Sequence, residues 1–180
     1  MRVSLLGPAP ALASYLARCG LEVLPNLDPA AAAVVVMGAS ELPEVLEDRL
    51  LGLTVPVLLV GPMASTAMTD AAGLVPGRLT PVHQVRVRTG ADAGQVMDRS
   101  GGDMIVTDRW PLQEKVADDV EVLLTANVAF ADHAVGTWRP STGLAALTVG
   151  STESTLADPL WHRLVHRVLR HVLITRMIPS

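Results

Sequence analysis

The segment Ala33-Val34-Val35-Val36-Met37 constrains the fold more than any other part of the chain. Five consecutive apolar residues, three of them β-branched, leave no polar face at a period of two. Such a strand is stable where helices cover both sides of its sheet, as for a parallel strand in an α/β protein. The flanking sequence agrees. Val3 to Leu6 predicts a short first strand closed by Gly7-Pro8. Ala11, Leu12, Tyr15, Leu16 and Cys19 recur at helical spacing, and Gly20 stops that helix. Leu21 to Leu24 predicts a second strand. Ser40 is the expected N-cap of the next helix, with Glu41 and Glu44 in its first turn and its end at Leu51. Val55 to Val60 predicts a fourth strand, closed by Gly61-Pro62. The order β-α-β-β-α-β predicts an α/β fold: a doubly wound, mostly parallel sheet flanked by helices.

The second half is patterned differently. Val82 to Arg88 alternates apolar and polar residues, so one face of this strand meets water. It predicts a small antiparallel hairpin at the sheet edge, pairing with Met104 to Thr107. Val120 to Leu124 and Leu144 to Val149 read as further strands. The last helix opens at Asp158-Pro159, an N-cap followed by proline at the first helical position. Its expected buried stripe is Leu160, Trp161, Leu164, Val165, Val168 and Val172, with Arg163, His166, Arg167 and Arg170 on the wet side. No repeat or linker interrupts the pattern, so residues 1–180 are expected to form a single domain.

Composition narrows the function classes. With 180 residues of which 49% are hydrophobic, the chain has enough aliphatic surface to offset its ordering entropy, which excludes disorder. Eighteen acidic residues against fourteen basic, a net charge of −4, argue against a nucleic-acid binder. One cysteine excludes an internal disulfide framework and a thiolate zinc cluster. The longest apolar run, Ala30 to Ala39, falls well short of the roughly 18 residues that a transmembrane helix requires. Pro8 and Pro10 interrupt the amino-terminal segment before a signal-type hydrophobic stretch forms, so a cytoplasmic location is expected.

Ligands of an open α/β sheet bind outside the carboxyl ends of its strands. The turns Gly7-Pro8-Ala9, Gly38-Ala39-Ser40, Gly61 to Thr66 and Gly150 to Ser154 are therefore the candidate site. Each opens with glycine, which lets the backbone approach a ligand but which also commonly ends a strand. No dinucleotide loop or Walker sequence occurs, so no nucleotide cofactor is expected. Cys19, on the apolar side of its helix, reads as a packed thiol. Ser65 and Ser151 occupy strand-end loops without an activating partner in the sequence, and no Gly-x-Ser-x-Gly elbow is present. His162 and His166 are four apart, but Arg163, Arg167 and Arg170 repel a cation, so a solvated basic face and no metal are expected. Asp132-His133 sets an acid beside an imidazole on an expected loop, an arrangement suited to proton transfer. Asp108-Arg109-Trp110-Pro111, just after a strand, admits two readings. It is either a sugar site, where the ring stacks while the ions bond hydroxyls, or a tryptophan capping the core beside a surface ion pair.

Several segments of the second half also come in a familiar order. They are His83-Gln84-Val85-Arg86-Val87, Val106-Thr107-Asp108-Arg109-Trp110, Val120 to Thr125, His133 to Arg139, Thr148-Val149-Gly150-Ser151, and Asp158-Pro159 before an Arg/His-rich helix. This ordered set, over about residues 80 to 175, resembles the ThuA-like (trehalose-utilisation) family. The first 75 residues share only the strand-helix order. The resemblance implies a class I glutamine-amidotransferase-like sandwich, flavodoxin-like in outline, and a role around carbohydrate metabolism. His83, Asp108, Trp138 and Gly150 match the family pattern. The family's Asp-Glu-x-Tyr reads Asp108-Arg109-Trp110-Pro111 here, Gly-x-Gly-Arg reads Ser141-Thr142-Gly143-Leu144, and Leu-Gly-His reads Val149-Gly150-Ser151. The amidotransferase cysteine is absent from the turn Gly61-Pro62-Met63-Ala64, which excludes glutamine hydrolysis by the usual thiolate.

The expectation that results is a divergent ThuA-like protein that holds a carbohydrate or related metabolite in the strand-end cleft, without a cofactor. Asp108, His133 and His83 would carry acid–base chemistry, and Arg109, Trp110, Trp138, Ser151 and Glu153 would contact the ligand. The alternative is a catalytically silent scaffold, a homodimer or a subunit beside a metabolite-modifying oxidoreductase. Its seam would be Val172-Leu173-Ile174 through Met177-Ile178. Neither a nucleic-acid nor a membrane partner is expected.

Overall fold

The structure, a computed structural model, describes residues 1–38, 42–61, 66–81, 84–90, 103–106, 109–128, 130–149 and 153–177. A nine-stranded mixed sheet forms its centre. Five strands run parallel: β1 (Arg2–Leu6), β2 (Glu22–Leu24), β3 (Ala33–Met37), β4 (Val57–Val60) and β11 (Leu144–Leu147). Their spatial order is β2-β1-β3-β4-β11, and four antiparallel strands continue the sheet as β10-β9-β6-β7. These are β6 (Gln84–Thr89), β7 (Asp103–Val106), β9 (Glu121–Val128) and β10 (Ala131–Arg139). The fold is thus the doubly wound α/β sheet expected, with an antiparallel part of four strands where a hairpin was expected. The β6–β7 hairpin is present at the predicted edge, with Arg86 opposite Met104.

The apolar run at 33–37 behaves as its composition demands. All five residues of β3 are buried. Ala33, Val35 and Met37 face one layer together with Val3, Leu5, Leu58 and Val60. Val34 and Val36 face the other with Val57, Leu59 and Leu144. The helices α1 (Pro10–Arg18) and α5 (Pro159–Met177) cover the first layer through Leu12, Leu16, Trp161, Leu164, Val165 and Val168. The second layer is closed by α2 (Glu44–Leu51) and α3 (Thr66–Ala71), through Leu50 and Met68. The crossover from β2 to β3 also packs there. Ser4, fully buried in β1, accepts a 3.0 Å bond from the Asp28 amide, which satisfies a polar group that would otherwise be stranded against the sheet.

Several local expectations are corrected. Helix α1 stops at Arg18, so Cys19 is its C-cap residue and its thiol is exposed, not packed. Helix α2 begins at Glu44 with Pro43 as its N-cap, and not from Ser40, which lies with Glu41 outside the described residues. Pro43 disfavours helical backbone in the residue before it, which delays the start. Asp158 caps α5 as expected, accepting from Leu160 N at 2.8 Å, but Leu160 itself is exposed. In α5, Val172 and Leu173 are buried in the chain's own core, so they are not a free seam for a second subunit.

Three strands were not anticipated: β10, where a loop was expected around Asp132-His133, and two more. β5 (Leu74–Pro81) and β8 (Arg109–Val116) form a separate antiparallel ribbon, Leu74 opposite Val116 and Pro81 opposite Arg109. Both contain proline, which argues against a strand in a sheet interior but is tolerated in a ribbon that is all edge. A short helix, α4 (Glu153–Ala157), precedes α5. No helix among the described residues is long and apolar enough to cross a membrane.

Candidate functional site

The strand order locates the site. From β1 the chain steps to β2 on one side and then to β3 on the other, so the winding reverses between β1 and β3. In open α/β sheets the crevice outside the carboxyl ends at such a switch point is where ligands bind. Three adjacent parallel strands end there in glycines with positive φ: Gly7 (+99°) after β1, Gly38 (+65°) after β3 and Gly61 (+98°) after β4. Gly7 has a second reason to be glycine. A Cβ at that position would sit 2.9 Å from Met37 Cβ and 3.0 Å from its carbonyl oxygen. The turns are tied to their neighbours, with Gly38 N donating to Val60 O (3.1 Å) and Gly61 N to Leu147 O (2.9 Å).

The antiparallel strands add side chains at the same end. β11 pairs with β10 only over Gly136 to Arg139, whereas β10 pairs with β9 back to Ala131. The start of β10 therefore overruns the carboxyl end of β11, tethered through Thr148 N to Val135 O at 2.9 Å. Asp132 and His133 stand on this overhang. Asn127 Nδ2 donates to Asp132 Oδ1 at 2.9 Å, which orients the carboxylate. His133 is half-buried and opposite Ala126, on the side of the sheet that α5 covers. The acid–imidazole pair was expected on a loop; it is on a strand, where adjacent residues point to opposite faces.

Val128 and Ala131 pair at the end of the β9–β10 hairpin, leaving only residues 129 and 130 between them. Phe130 is fully exposed and has φ +67°, the only positive value at a non-glycine among the described residues. Nothing in the sequence singled out Phe130, since neither turn residue is one that a tight hairpin favours.

The remaining candidates divide. His83, Asp108 and Ser151 lie outside the described residues. Arg109 and Trp110 are the first two residues of β8, their backbones paired with Pro81 and Thr80; their side chains are likewise not described. Glu153 is exposed and opens α4 instead of continuing a turn. Trp138 is corrected. Only 3% exposed, it lies opposite Ala145 near the amino end of β11 and packs in the core beneath α5. It is therefore not a rim residue of the cleft.

The expected solvated face of α5 is corrected as well. His162 is buried, its Nε2 donating to Leu156 O at 2.8 Å and its ring 5.6 Å from that of Tyr15. His166 is half-buried beside the same ring at 6.2 Å. Burial, and then the nearby Arg170 charge, hold its imidazole below the ordinary pKa. Burial and then the Cys19 thiol push the Tyr15 phenol up. This cluster is a packing seam between α1 and α5. Among the described residues no three His, Cys, Asp or Glu side chains gather closely enough to hold a metal ion.

Two cavities open at the other end of the sheet. One of about 640 Å³ lies between the β2–β3 crossover and the turn entering β4, beside Leu27, Asp28, Arg49, Leu53 and Thr54. The other, about 260 Å³, adjoins Arg139. That arginine bonds Asp119 Oδ2 at 2.8 Å and the carbonyls of Asp70 and Ala71 at 2.9 and 3.2 Å, so it fastens α3 to the sheet. Hydrogen bonds from Arg139 and then Ser141 hold the Asp119 carboxyl below its usual range.

No family model and no curated protein sequence matches this chain. Solved structures do. A protein named as ThuA-like from Bacteroides uniformis ATCC 8492 superposes with a TM-score of 0.68 at 12% identity, covering 96% of this chain and 91% of that one. A glutamine amidotransferase matches with a TM-score of 0.60 at 14% identity, over 94% and 98%. A GH42 β-galactosidase from G. stearothermophilus matches with a TM-score of 0.62 at 10% identity, covering 92% of this chain but 30% of that one. At such identities the likeness is one of fold. The chain has the α/β fold of ThuA-like and class I glutamine-amidotransferase-like proteins, as the ordered motifs of its second half implied.

Proposed function

We propose that the chain is a divergent ThuA-like protein that binds a carbohydrate or related polyol at the carboxyl end of its parallel strands. The observation that carries this reading is the convergence of three left-handed glycine turns, Gly7, Gly38 and Gly61, at the point where the winding of the sheet reverses. Such turns let the backbone approach a ligand closely, and Asp132 on the neighbouring overhang accepts from hydroxyls. His133 and, from the ordered motif, Asp108 and His83 supply acid–base groups for non-covalent chemistry. Arg109, Trp110, Ser151 and Glu153 belong to this reading as ligand contacts. The test is a thermal-shift panel of mono- and disaccharides. At least one sugar is expected to raise the melting temperature, and Asp108→Asn and His133→Ala are each expected to abolish that rise. Retention by both variants would move the site elsewhere.

A second reading is a non-catalytic subunit that works beside an enzyme. It is favoured by one observation: the same fold makes up under a third of a β-galactosidase chain. Co-purification of a stoichiometric enzyme, with no sugar response from the isolated chain, is the result that supports it.

A further inference from the structure

The hairpin tip at Phe130 combines two features that folding alone does not explain. The ring makes no protective contact with its own chain, being fully exposed. Its backbone stands at φ +67°, where a bulky side chain is disfavoured and glycine or asparagine is the usual choice. A two-residue hairpin with Asn-Gly at this point would close more easily. The residue thus works against local stability and offers the core nothing in return, the signature of a position kept for contact with something else.

Its place says what that something is. The tip caps the part of β10 that overruns β11, at the same end of the sheet as the Gly7, Gly38 and Gly61 turns. The cavities at the other end of the sheet are remote from it. Asp132, two residues on, is exposed, held by Asn127, and able to accept from hydroxyls. An aromatic face on a hairpin tip, two residues from an oriented carboxylate, is suited to a pyranose, whose C–H face stacks on the ring while its hydroxyls reach the acid.

We propose that Phe130 is the stacking platform for the sugar face of the ligand, with Asp132 as its hydroxyl acceptor. This rests on the reading of the strand-end cleft as a carbohydrate site and names the residue that grips the ligand there. The ring is free without ligand and is covered when a sugar is bound. It contributes to binding and not to folding, so the two properties separate on substitution.

The experiment pairs stability with affinity for glucose, galactose and trehalose, each titrated calorimetrically into the wild-type chain, Phe130→Gly and Phe130→Trp. Phe130→Gly is expected to melt about 2–4 °C higher, through relief of the backbone conformation. It is expected to bind about tenfold more weakly, the range of one lost aromatic contact. Phe130→Trp is expected to restore affinity. If the wild type binds a sugar and Phe130→Gly binds it equally well, the stacking role is overturned while the carbohydrate reading stands. If none of the three sugars binds the wild type, both fall. A lower melting temperature for Phe130→Gly shows that the ring supports the fold, which also overturns the proposal.

Discussion

The two halves of the sheet solve different problems. In the parallel half, β2-β1-β3-β4-β11, helices or a crossover lie on both sides, and the central strand β3 is buried throughout. In the antiparallel half, among the described side chains of β6, Val87 is buried while Arg86 and Arg88 face water. There α5 covers one side and the β5–β8 ribbon lies near β10. The difference teaches that the first half supplies the glycine turns, while the second, whose Leu123, Ala126, Val135 and Trp138 join the same core, brings side chains to that end. Glycine turns need a rigid base, and the overhang, anchored by Val135, leaves Asp132 and Phe130 exposed.

That comparison breaks if the halves respond alike to substitution. The largest expected effect is in the parallel half, where Leu58→Ala leaves a cavity in the layer that α1 and α5 cover and costs about 2–5 kcal/mol by denaturant unfolding. Arg88→Ala in the antiparallel half is expected to stay within about 0.5 kcal/mol. Equal losses would show that the exposed face of β6 carries as much of the fold as the buried face of β4. Gly7→Ala comes next. Left-handed backbone costs an L-residue roughly 1–2 kcal/mol, and the new methyl must also displace the end of β3. A thermal melt unchanged by that substitution would remove the steric argument for the turn.

The smallest effect sharpens the boundary between the halves, where Arg139 on β10 binds Asp119 and the end of α3. The Asp119 pKa is depressed in the folded state, so its contribution is present above the ordinary carboxylate value of 3.8. It is lost as pH falls from there through the lower folded-state value. Asp119→Asn is expected to melt slightly below the wild type at pH 7 and to match it in strong acid. A gap that persists in acid would assign the loss to packing instead.

What could be read in the sequence follows the same division. β3 and β4 were legible because strands buried on both faces are continuous apolar runs, and α1 and α5 because capping signals and periodicity agree. β5 and β8 were hidden by their prolines, and β10 by its polar start and by Gly136 at an irregular register. The glycine turns were legible as candidates because strand ends and ligand sites coincide in this architecture. The misplacement of Trp138 had a plain cause: its burial depends on the pairing with Ala145, a residue outside its own strand. Phe130 was invisible because its significance lies in a backbone angle, which no residue pattern encodes.

The central claim is that the working surface lies at the carboxyl end of the parallel strands. The most direct measurement is amide chemical-shift mapping of the ¹⁵N-labelled chain during titration with a sugar that stabilises it. The account predicts shifts concentrated at Gly7, Gly38, Gly61, Asn127, Phe130, Asp132 and His133. Shifts concentrated instead at Leu27, Asp28, Arg49 and Thr54, around the larger cavity at the opposite end, would contradict it.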